Sequence, residues 1–563
     1  MDCPPAGFGG RAAGRLAVND VTRHDTGEDG RPSAQRFDEA FDVVVVGYGF
    51  AGAIAAVEAH DAGARVLLIE KMPFPGGISI LSGGAVRCAF DAAEAFEYLK
   101  ATNAGTTPDD VLRALAEGMA AAEDQVNALA ERVGARINNK GAGALADLPG
   151  RKGGNYPFPG WKTFYNTKID EVPNFDRYAT YPRVRARPGA PGPLLFRVVE
   201  QNVSLRDIAV RLSTPAVRLI HDPGSGVQGV AVDTGRGRRA IKARCGVVLA
   251  CGGFEGDVEM QRQFWQTKPV LTAATRGNTG DGIRMAQACG AALWHMWHFH
   301  GSYAYRHPDP DFPFALRVKR LPDWNPLYKD EMQVKMVWII VDERGRRYMN
   351  ECPPYMQDTT HRPMEMFDPE TMSYPRIPSY LICDENGRKL YPLGDPRSND
   401  PDYAYDWSDD NTKEIGNGIL HQAGSIRGLA EKMEIDPDRL EATVGRWNEM
   451  CAQGRDDEFG RPPGTMMPID TPPFVVGKVW PTVSNTQGGP VHNARQQVID
   501  TWGEPIRRLY SAGELGSSFG HLYLSGGNVA ECFVTGRIAG REVAALAAWD
   551  SNMAVGASIG EAK

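Results

Sequence analysis

An α/β fold with a parallel sheet at its centre is what three features of this sequence predict. Residues 41–46 read Phe-Asp-Val-Val-Val-Val, a β-branched run suited to a strand buried on both faces. Gly47-Tyr48-Gly49-Phe50-Ala51-Gly52 follows at once and opens the helical stretch Ala53–Ala59. A second apolar strand, Arg65–Ile69, ends on Glu70, 23 residues after the first glycine. The glycines alone would be weak grounds. Strand, G-x-G-x-x-G, helix, strand and terminal acid together make a Rossmann-like dinucleotide fingerprint in its required context. Gly47 allows the tight turn, Gly49 lets backbone N–H groups approach a pyrophosphate, and Gly52 lets helix pack on strand. The helix N-terminus stabilises phosphate charge, and Glu70 is placed to accept hydrogen bonds from ribose hydroxyls.

Later elements follow from local signals. Thr107-Pro108-Asp109-Asp110 predicts a helix start, with a hydroxyl cap, proline at the first position and acids in the first turn. Val111, Leu115, Met119, Ala122, Val126, Leu129 and Val133 continue at helical spacing and predict one helix with a buried face. Residues 143–193 are rich in Pro, Gly and aromatics (Tyr156, Phe158, Trp161, Phe164, Tyr165, Tyr178, Tyr181) and predict a long irregular segment. It reads either as a loop over an apolar site or as simple packing. Val247–Phe254 and Arg508–Glu514 each predict a buried strand running into glycine, and a last helix is expected from Asn528 to Ala548. Between about 270 and 475 the βαβ rhythm fades. The expected organisation is a disordered leader (1–37), the first part of a dinucleotide-binding domain (38–270), an inserted α+β domain (271–474), the second part (475–548) and a tail (549–563).

Composition narrows the function. The chain has 563 residues and a net charge of −8, which leaves little to neutralise phosphates, so no nucleic-acid partner is expected. Its 63 glycines are about 11% of the chain against roughly 7% in ordinary proteins, and many sit in short apolar contexts. Nine cysteines, an odd number without a C-x-x-C pair, argue against disulfides, zinc, iron–sulfur clusters and attached haem. No run of 18 apolar residues predicts a membrane helix, and the leader has no hydrophobic h-region, so the expected compartment is cytoplasmic.

Four blocks give the chain a wider likeness. They are Gly47–Gly52 with Glu70-Lys71; Pro75-Gly76-Gly77 through Ser82-Gly83-Gly84; Thr275-Arg276-Gly277-Asn278-Thr279-Gly280-Asp281-Gly282; and Ala512-Gly513-Glu514 through Gly536-Arg537-Ile538-Ala539-Gly540. Together they resemble the fumarate reductase / 3-ketosteroid dehydrogenase family of FAD flavoproteins, along nearly all of the chain after residue 38. The resemblance implies an FAD-binding domain of glutathione-reductase type, interrupted by an inserted catalytic, capping domain. It also implies which residues hold FAD: Gly47, Gly49, Phe50, Ala51 and Gly52 at the pyrophosphate, Glu70 and Lys71 at the adenosine end, and Glu514 near the ribityl chain. Gly76, Gly77, Ser79, Ser82, Gly83 and Gly84 form the loop past the flavin ring. Val210, Ala250, Gly252, Gly253, Asn278, Gly280, Asp281, Gly513, Ser525, Asn528 and Val529 complete the set. Succinate dehydrogenases attach FAD through a histidine in this loop. No histidine occurs between Glu70 and Cys88 here, so the FAD is expected to be non-covalent. A single dinucleotide fingerprint points to an external electron acceptor.

The same likeness bears on the substrate. Fumarate reductases need cations, yet their arginine and histidine positions fall on Tyr355 and Asn485, and the arginine before Gly526-Gly527-Asn528 is missing. A dicarboxylate is therefore disfavoured. Tyr523, Ser525 and the distant Tyr355 are instead similar to the Tyr/Tyr/Ser set of Δ4-(5α)-3-ketosteroid dehydrogenases, rather than to the Δ1 enzymes. That implies desaturation beside a ring ketone, with α-proton abstraction and hydride transfer to flavin N5. Tyr355 with Ser525 would move the proton, while Tyr523, assisted by the Gly526 or Gly527 N–H, would hold the ketone oxygen. A free tyrosine has a pKa of about 10, so a tyrosine base needs a shifted pKa or a relay. Both tyrosines also have a reading as packing residues. The other outcome for the same cofactor is reduction of an activated C=C bond in an enoate, urocanate or fumarate-like substrate. A third is a flavoprotein that only shuttles electrons.

Three remaining signals carry little. His295, His298 and His300 suggest a strand with one histidine lining the cleft, but they lack the spacing and further ligands of a metal site, so no metal is expected. Gly516-Ser517-Ser518-Phe519-Gly520 matches a hydrolase elbow only as text, because the sole later histidine is His521. Asn202-Val203-Ser204 is a sequon without a secretory signal.

Overall fold

Consecutive valines form β1 (Glu39–Val46), where Val43, Val44 and Val45 are fully buried. Each such side chain contributes about 1.5–3 kcal/mol through burial. A computed structural model describes residues 36–138, 155–186, 191–273, 275–319, 335–352, 360–400 and 402–549. Nearly all of the expected leader, most of the tail, and Tyr355 lie outside the described residues.

After β1 come α1 (Phe50–Asp61) and β2 (Val66–Ile69). The parallel part of the first sheet runs Pro505–Ser511, Arg238–Leu249, β1, β2, Ala209–Arg211 in space. Ala216–Asp222 and Gly226–Asp233 add an antiparallel meander onto Arg238–Leu249, making the fold mixed α/β. Three neighbouring parallel strands end at the same edge in glycines of positive φ: Gly47 (+106°), Gly252 (+70°) and Gly513 (+74°). Ligands of parallel sheets bind beyond these carboxyl ends. α1 is made mostly of small residues because a second helix lies against it. A Cβ on Gly536 or Gly540 of the closing helix Gly527–Ala544 would stand 2.6 Å from the Ala51 carbonyl or 2.4 Å from that of Ala55.

The second sheet is organised by one long strand, Phe474–Thr486. Its first half pairs with Ser379–Cys383 and Leu420–Ala423, its second half with Phe299–Tyr305 and Leu271–Thr272. Trp338–Val341 extends the sheet beyond Ser379–Cys383. The strand's end reaches the first sheet, where the Thr486 N–H donates to Glu514 Oε1 at 2.8 Å.

Several local expectations are corrected. The helical stretch after residue 108 is two helices, Asp109–Ala120 and Ala122–Arg132, broken at Ala121. The cap position falls on Pro108, and the Thr107 hydroxyl instead donates to the Ser518 carbonyl at 3.0 Å. Residues 143–193 are not irregular throughout: Phe164–Glu171 is a strand paired with Ala85–Ala89, and it buries Phe164 and Tyr165. Of the three histidines only His300 lies in a strand, because His295 turns the chain with φ of +53°. Asn202 is fully buried and bonded to the Leu129 and Val198 carbonyls. No described helix is long and apolar enough to cross a membrane.

Candidate active site

A cavity of about 1050 Å³ opens along the carboxyl edge of the first sheet and continues under the second. Ordinary ligand pockets span about 300–1,000 Å³. Of the residues expected to hold the dinucleotide, Gly47, Gly49, Phe50, Ala51, Glu70, Lys71, Gly77, Ser79, Ser82, Gly83, Ala250, Gly252, Asn278, Asp281, Glu514, Ser525, Asn528 and Val529 line it. Gly52, Gly76, Gly84, Gly253, Gly280 and Gly513 stand behind the wall. Most of them let backbone or polar side chains approach: a Cβ on Gly253 would lie 1.7 Å from Thr486 Oγ1, and one on Gly84 2.3 Å from the Pro191 backbone. Val210 sits 38% exposed on an edge strand and is not part of the wall.

The dinucleotide end is built for an anion flanked by hydroxyls. α1 begins at Gly49, which has no side chain to cap it, so the helix opens its N-terminal N–H groups toward the cavity. Among the described residues Ser79 Oγ accepts the Phe50 N–H alone, at 3.0 Å. Glu70 closes β2, its carboxylate steadied by the N–H groups of Tyr48 and Met72, both at 2.9 Å. Lys71 donates to Asp281 Oδ2 at 2.5 Å and Thr279 Oγ1 at 2.6 Å, tying the 275–282 block to the end of β2. Ser484 lines the cavity with its hydroxyl buried and, among the described residues, lacking a hydrogen-bond partner. Backbone donors, a ribose-length acid and an unsatisfied hydroxyl together fit a dinucleotide such as FAD.

Three buried acids stand beneath this end. Asn278 Nδ2 donates to Glu255 Oε1 at 2.6 Å and Glu514 Oε2 at 3.4 Å, while Glu531 accepts from Ser517, from the Ser518 N–H and from Asn528. Burial holds Glu255 well above the usual carboxylate range and pushes Glu514 and Glu531 up to about 7. A raised folded-state pKa means the folded protein keeps a proton that the unfolded chain releases. The associated stability is therefore full below about pH 4 and is lost as pH rises through about 7. The cofactor-free protein is expected to lose up to about 3 kcal/mol through Glu531 alone between about pH 5 and pH 8. Urea unfolding across that range reads the slope, which Glu531→Gln should flatten.

At the opposite end the cavity is lined by Tyr523, Ser525, His300, Asn485, Arg317 and Val318. The Tyr523 ring lies 3.8 Å from that of His300, and its hydroxyl accepts the Gly526 N–H at 3.2 Å. The Gly527 N–H donates to the Leu524 carbonyl at 2.6 Å, so both glycine N–H groups expected to assist a ketone oxygen are engaged within the turn. Burial raises the Tyr523 pKa, against the Gly526 N–H and the charges of Arg87 and Arg317, which lower it. Asn485 Nδ2 is tied to Asn528 Oδ1 at 3.3 Å. Among the described residues Ser525 has no hydrogen-bond partner, and Tyr355 lies in the undescribed segment after Cys352, itself part of the wall.

Sequence reasoning missed Arg317, Lys319, Ser484 and Glu255. Only Glu255 had a local signal, as an acid directly after the glycines that end a strand. Arg317 ends a short strand and Lys319 follows two residues later, neither within a motif, and they return positive charge to a cleft whose motif positions are all neutral.

A carboxyl-edge dinucleotide cradle opening into a second ligand cleft defines a redox enzyme of the dinucleotide-binding α/β class. The family described as "FAD binding domain" matches residues 42–529, and the chain belongs to that family. It is an FAD-dependent oxidoreductase whose relatives include fumarate reductases and 3-oxosteroid 1-dehydrogenase. The chain is 28% identical to "Digoxin reductase" of Eggerthella lenta, over 90% of this chain and 88% of that one. It is 26% identical to "3-oxosteroid 1-dehydrogenase" of Mycolicibacterium smegmatis, over 91% and 98%. The fold matches the crystal structure of 3-ketosteroid Δ1-dehydrogenase from Sterolibacterium denitrificans in complex with 1,4-androstadiene-3,17-dione. That match has a TM-score of 0.73 at 23% identity and covers 90% of this chain and 99% of that one.

Proposed function

We propose that the protein desaturates a carbon–carbon bond beside a ring ketone in a small, apolar, 3-ketosteroid-like substrate, and passes the electrons to an external acceptor. In this reading FAD is held non-covalently, and the chain from residue 271 to the Phe474–Thr486 strand acts as the capping domain. The observation that carries the reading is the Tyr523–Ser525 turn, set in the wall of the FAD cavity. Because the Tyr523 oxygen already accepts the Gly526 N–H, its own O–H is available to donate to a ketone oxygen. That donation stabilises the enolate formed when an α-proton leaves. Ser525, with Tyr355, takes the proton. Val318 and Met336 give that end apolar wall, which excludes water. Bound FAD supplies the acceptor for the β-hydrogen and its electron pair. The 3-oxosteroid dehydrogenase relative supports the same chemistry.

The direct test mixes the purified holoenzyme anaerobically with a saturated 5α-3-ketosteroid while the flavin band is followed. Bleaching with formation of a 4-ene-3-ketone is the expected result. The reading fails if the flavin stays oxidised while chemically reduced enzyme is reoxidised by an enoate.

Arg317 and Lys319 specifically favour that second reading, reduction of an activated C=C bond, since cations in the cleft suit a carboxylate. The digoxin reductase relative points the same way. Arg317→Met separates the two. With a neutral ketone, KM is expected to stay within about threefold while kcat falls. An anionic substrate would lose a charge-assisted hydrogen bond of about 1.5–3 kcal/mol, and its KM would rise more than about tenfold.

A further inference from the structure

His295, His298 and His300 all face one loop, the segment that leads from Glu514 into the Tyr523 turn. Residues 512–520 are buried and belong to no helix or strand, so their backbone carbonyls need partners from elsewhere. Side chains supply them. His492 Nε2 stands 2.9 Å from the Gly516 oxygen, and His295 Nδ1 stands 2.8 Å from that of Ser517. Asn103 and Thr107 donate to the Ser518 oxygen, and His298 Nδ1 stands 3.2 Å from that of Phe519. Two residues on, Arg362 Nη2 donates to the His521 oxygen at 2.6 Å. His300 completes the series with its ring 3.8 Å from that of Tyr523. One short segment thus meets the loop at residues 517, 519 and 523, in order.

His298 is the member whose proton is fixed by its partners. Arg362 Nη2 stands 3.3 Å from His298 Nε2, and a guanidinium can only donate. Nε2 therefore accepts, and Nδ1 carries the hydrogen that the Phe519 carbonyl receives. Burial, and then the Arg362 charge, hold the His298 pKa well below the usual imidazole range, which keeps the ring in this neutral form. Trp297 stacks on it with ring centroids 5.2 Å apart. On the loop side, the Phe519 ring packs 6.3 Å from that of Tyr523, and a Cβ on Gly527 would lie 2.6 Å from Phe519 Cζ. The residue whose carbonyl His298 holds therefore packs against both Tyr523 and the start of the closing helix.

We propose that His298 and Arg362 are positioning residues: together they fix the Phe519 and His521 carbonyls, and through them the place of the Tyr523 hydroxyl in the cleft. The inference rests on the role given to Tyr523 above. Neither residue lines the cavity, so any effect of replacing them travels through the loop. A hydrogen bond that must meet a developing enolate tolerates little displacement, about 1 Å costing up to about 10²-fold in rate.

The test labels the holoprotein with 3-fluorotyrosine. Tyr523 is one of 18 tyrosines, so its fluorine resonance is assigned as the one lost in Tyr523→Phe. His298→Leu should shift or split that resonance. It should also lower kcat for the ring ketone about ten- to a hundredfold, with KM within about threefold and flavin content unchanged. His298→Asn, whose amide N–H replaces that of Nδ1, should return both readouts toward wild type. Arg362→Met is a second variant and should move the same resonance. A folded, flavin-loaded His298→Leu protein whose Tyr523 resonance or kcat matches wild type overturns the proposal. Failure of both His298→Leu and Arg362→Met to fold overturns it too, since the pair would then be purely structural. The resonance needs no substrate. If it moves while no ring ketone bleaches the wild-type flavin, the substrate reading fails and the positioning of Tyr523 stands.

Discussion

Tyr523→Phe is expected to leave the protein folded and its FAD bound, while slowing reduction of the flavin by a saturated ring ketone about 10²–10⁴-fold. The substitution removes one oxygen and little else. The phenylalanine ring keeps its place beside His300 at 3.8 Å and Phe519 at 6.3 Å, so packing survives. The Gly526 N–H loses its acceptor, which costs about 1 kcal/mol of stability and leaves the turn intact. The kinetic loss is larger because the bond from Tyr523 to the ketone strengthens only as charge develops on that oxygen. It should therefore appear mainly in kcat, with KM within a few-fold of wild type. Anaerobic stopped-flow traces at saturating ketone measure it directly. A variant reduced at the wild-type rate would return Tyr523 to the role of a packing residue and shift attention to the enoate reaction.

The parts of this site that sequence shows are those where a residue answers a demand made by its own neighbours. Gly47, Gly252 and Gly513 each end a buried strand at positive φ, a conformation that leaves little choice but glycine, so all three stand out in the sequence. Glu70 is equally visible because it closes β2. Arg317 and Arg87 are placed by distant strand pairings instead. Arg317 reaches the cleft because its strand pairs with Ala304 and Tyr305, and Arg87 is buried opposite Asn166 because Ala85–Ala89 pairs with a strand that begins 75 residues after it ends. No local pattern encodes such pairings. The break at Ala121 is hidden for another reason: it falls within Ala120-Ala121-Ala122, where every residue favours helix, and the hydrophobic spacing runs on across it. His295 misled in the same way, since a left-handed residue inside an alternating aromatic run carries no composition signal.

Gly52→Ala adds a single methyl group and is expected to cost the protein its cofactor. A Cβ at Gly52 would lie 1.8 Å from the Gly47 carbonyl oxygen and 3.0 Å from its carbon, and neither is the end of a flexible side chain. The Gly47 turn cannot retreat. It is held at φ of +106°, with its own Cα so near the next strand that a Cβ would meet the Ala250 oxygen at 2.3 Å. Nor can α1 slide freely outward, because Gly536 and Gly540 of the closing helix already touch its Ala51 and Ala55 carbonyls. The remaining relief is a tilt of the α1 N-terminus away from the cavity. That turns the N–H groups aside from a pyrophosphate, each charge-assisted bond being worth about 1.5–3 kcal/mol. Loss of two predicts an FAD affinity lower by about 10²–10⁴-fold, read from the flavin-to-protein ratio after purification and from titration of the apoprotein. Gly63→Ala is the control: Gly63 also has positive φ (+92°), but a Cβ there meets nothing within 4 Å. It should cost about 1 kcal/mol of stability and no flavin. If Gly52→Ala binds FAD as tightly as wild type, the pyrophosphate does not sit on the α1 N-terminus, and the fingerprint in this chain is a packing device.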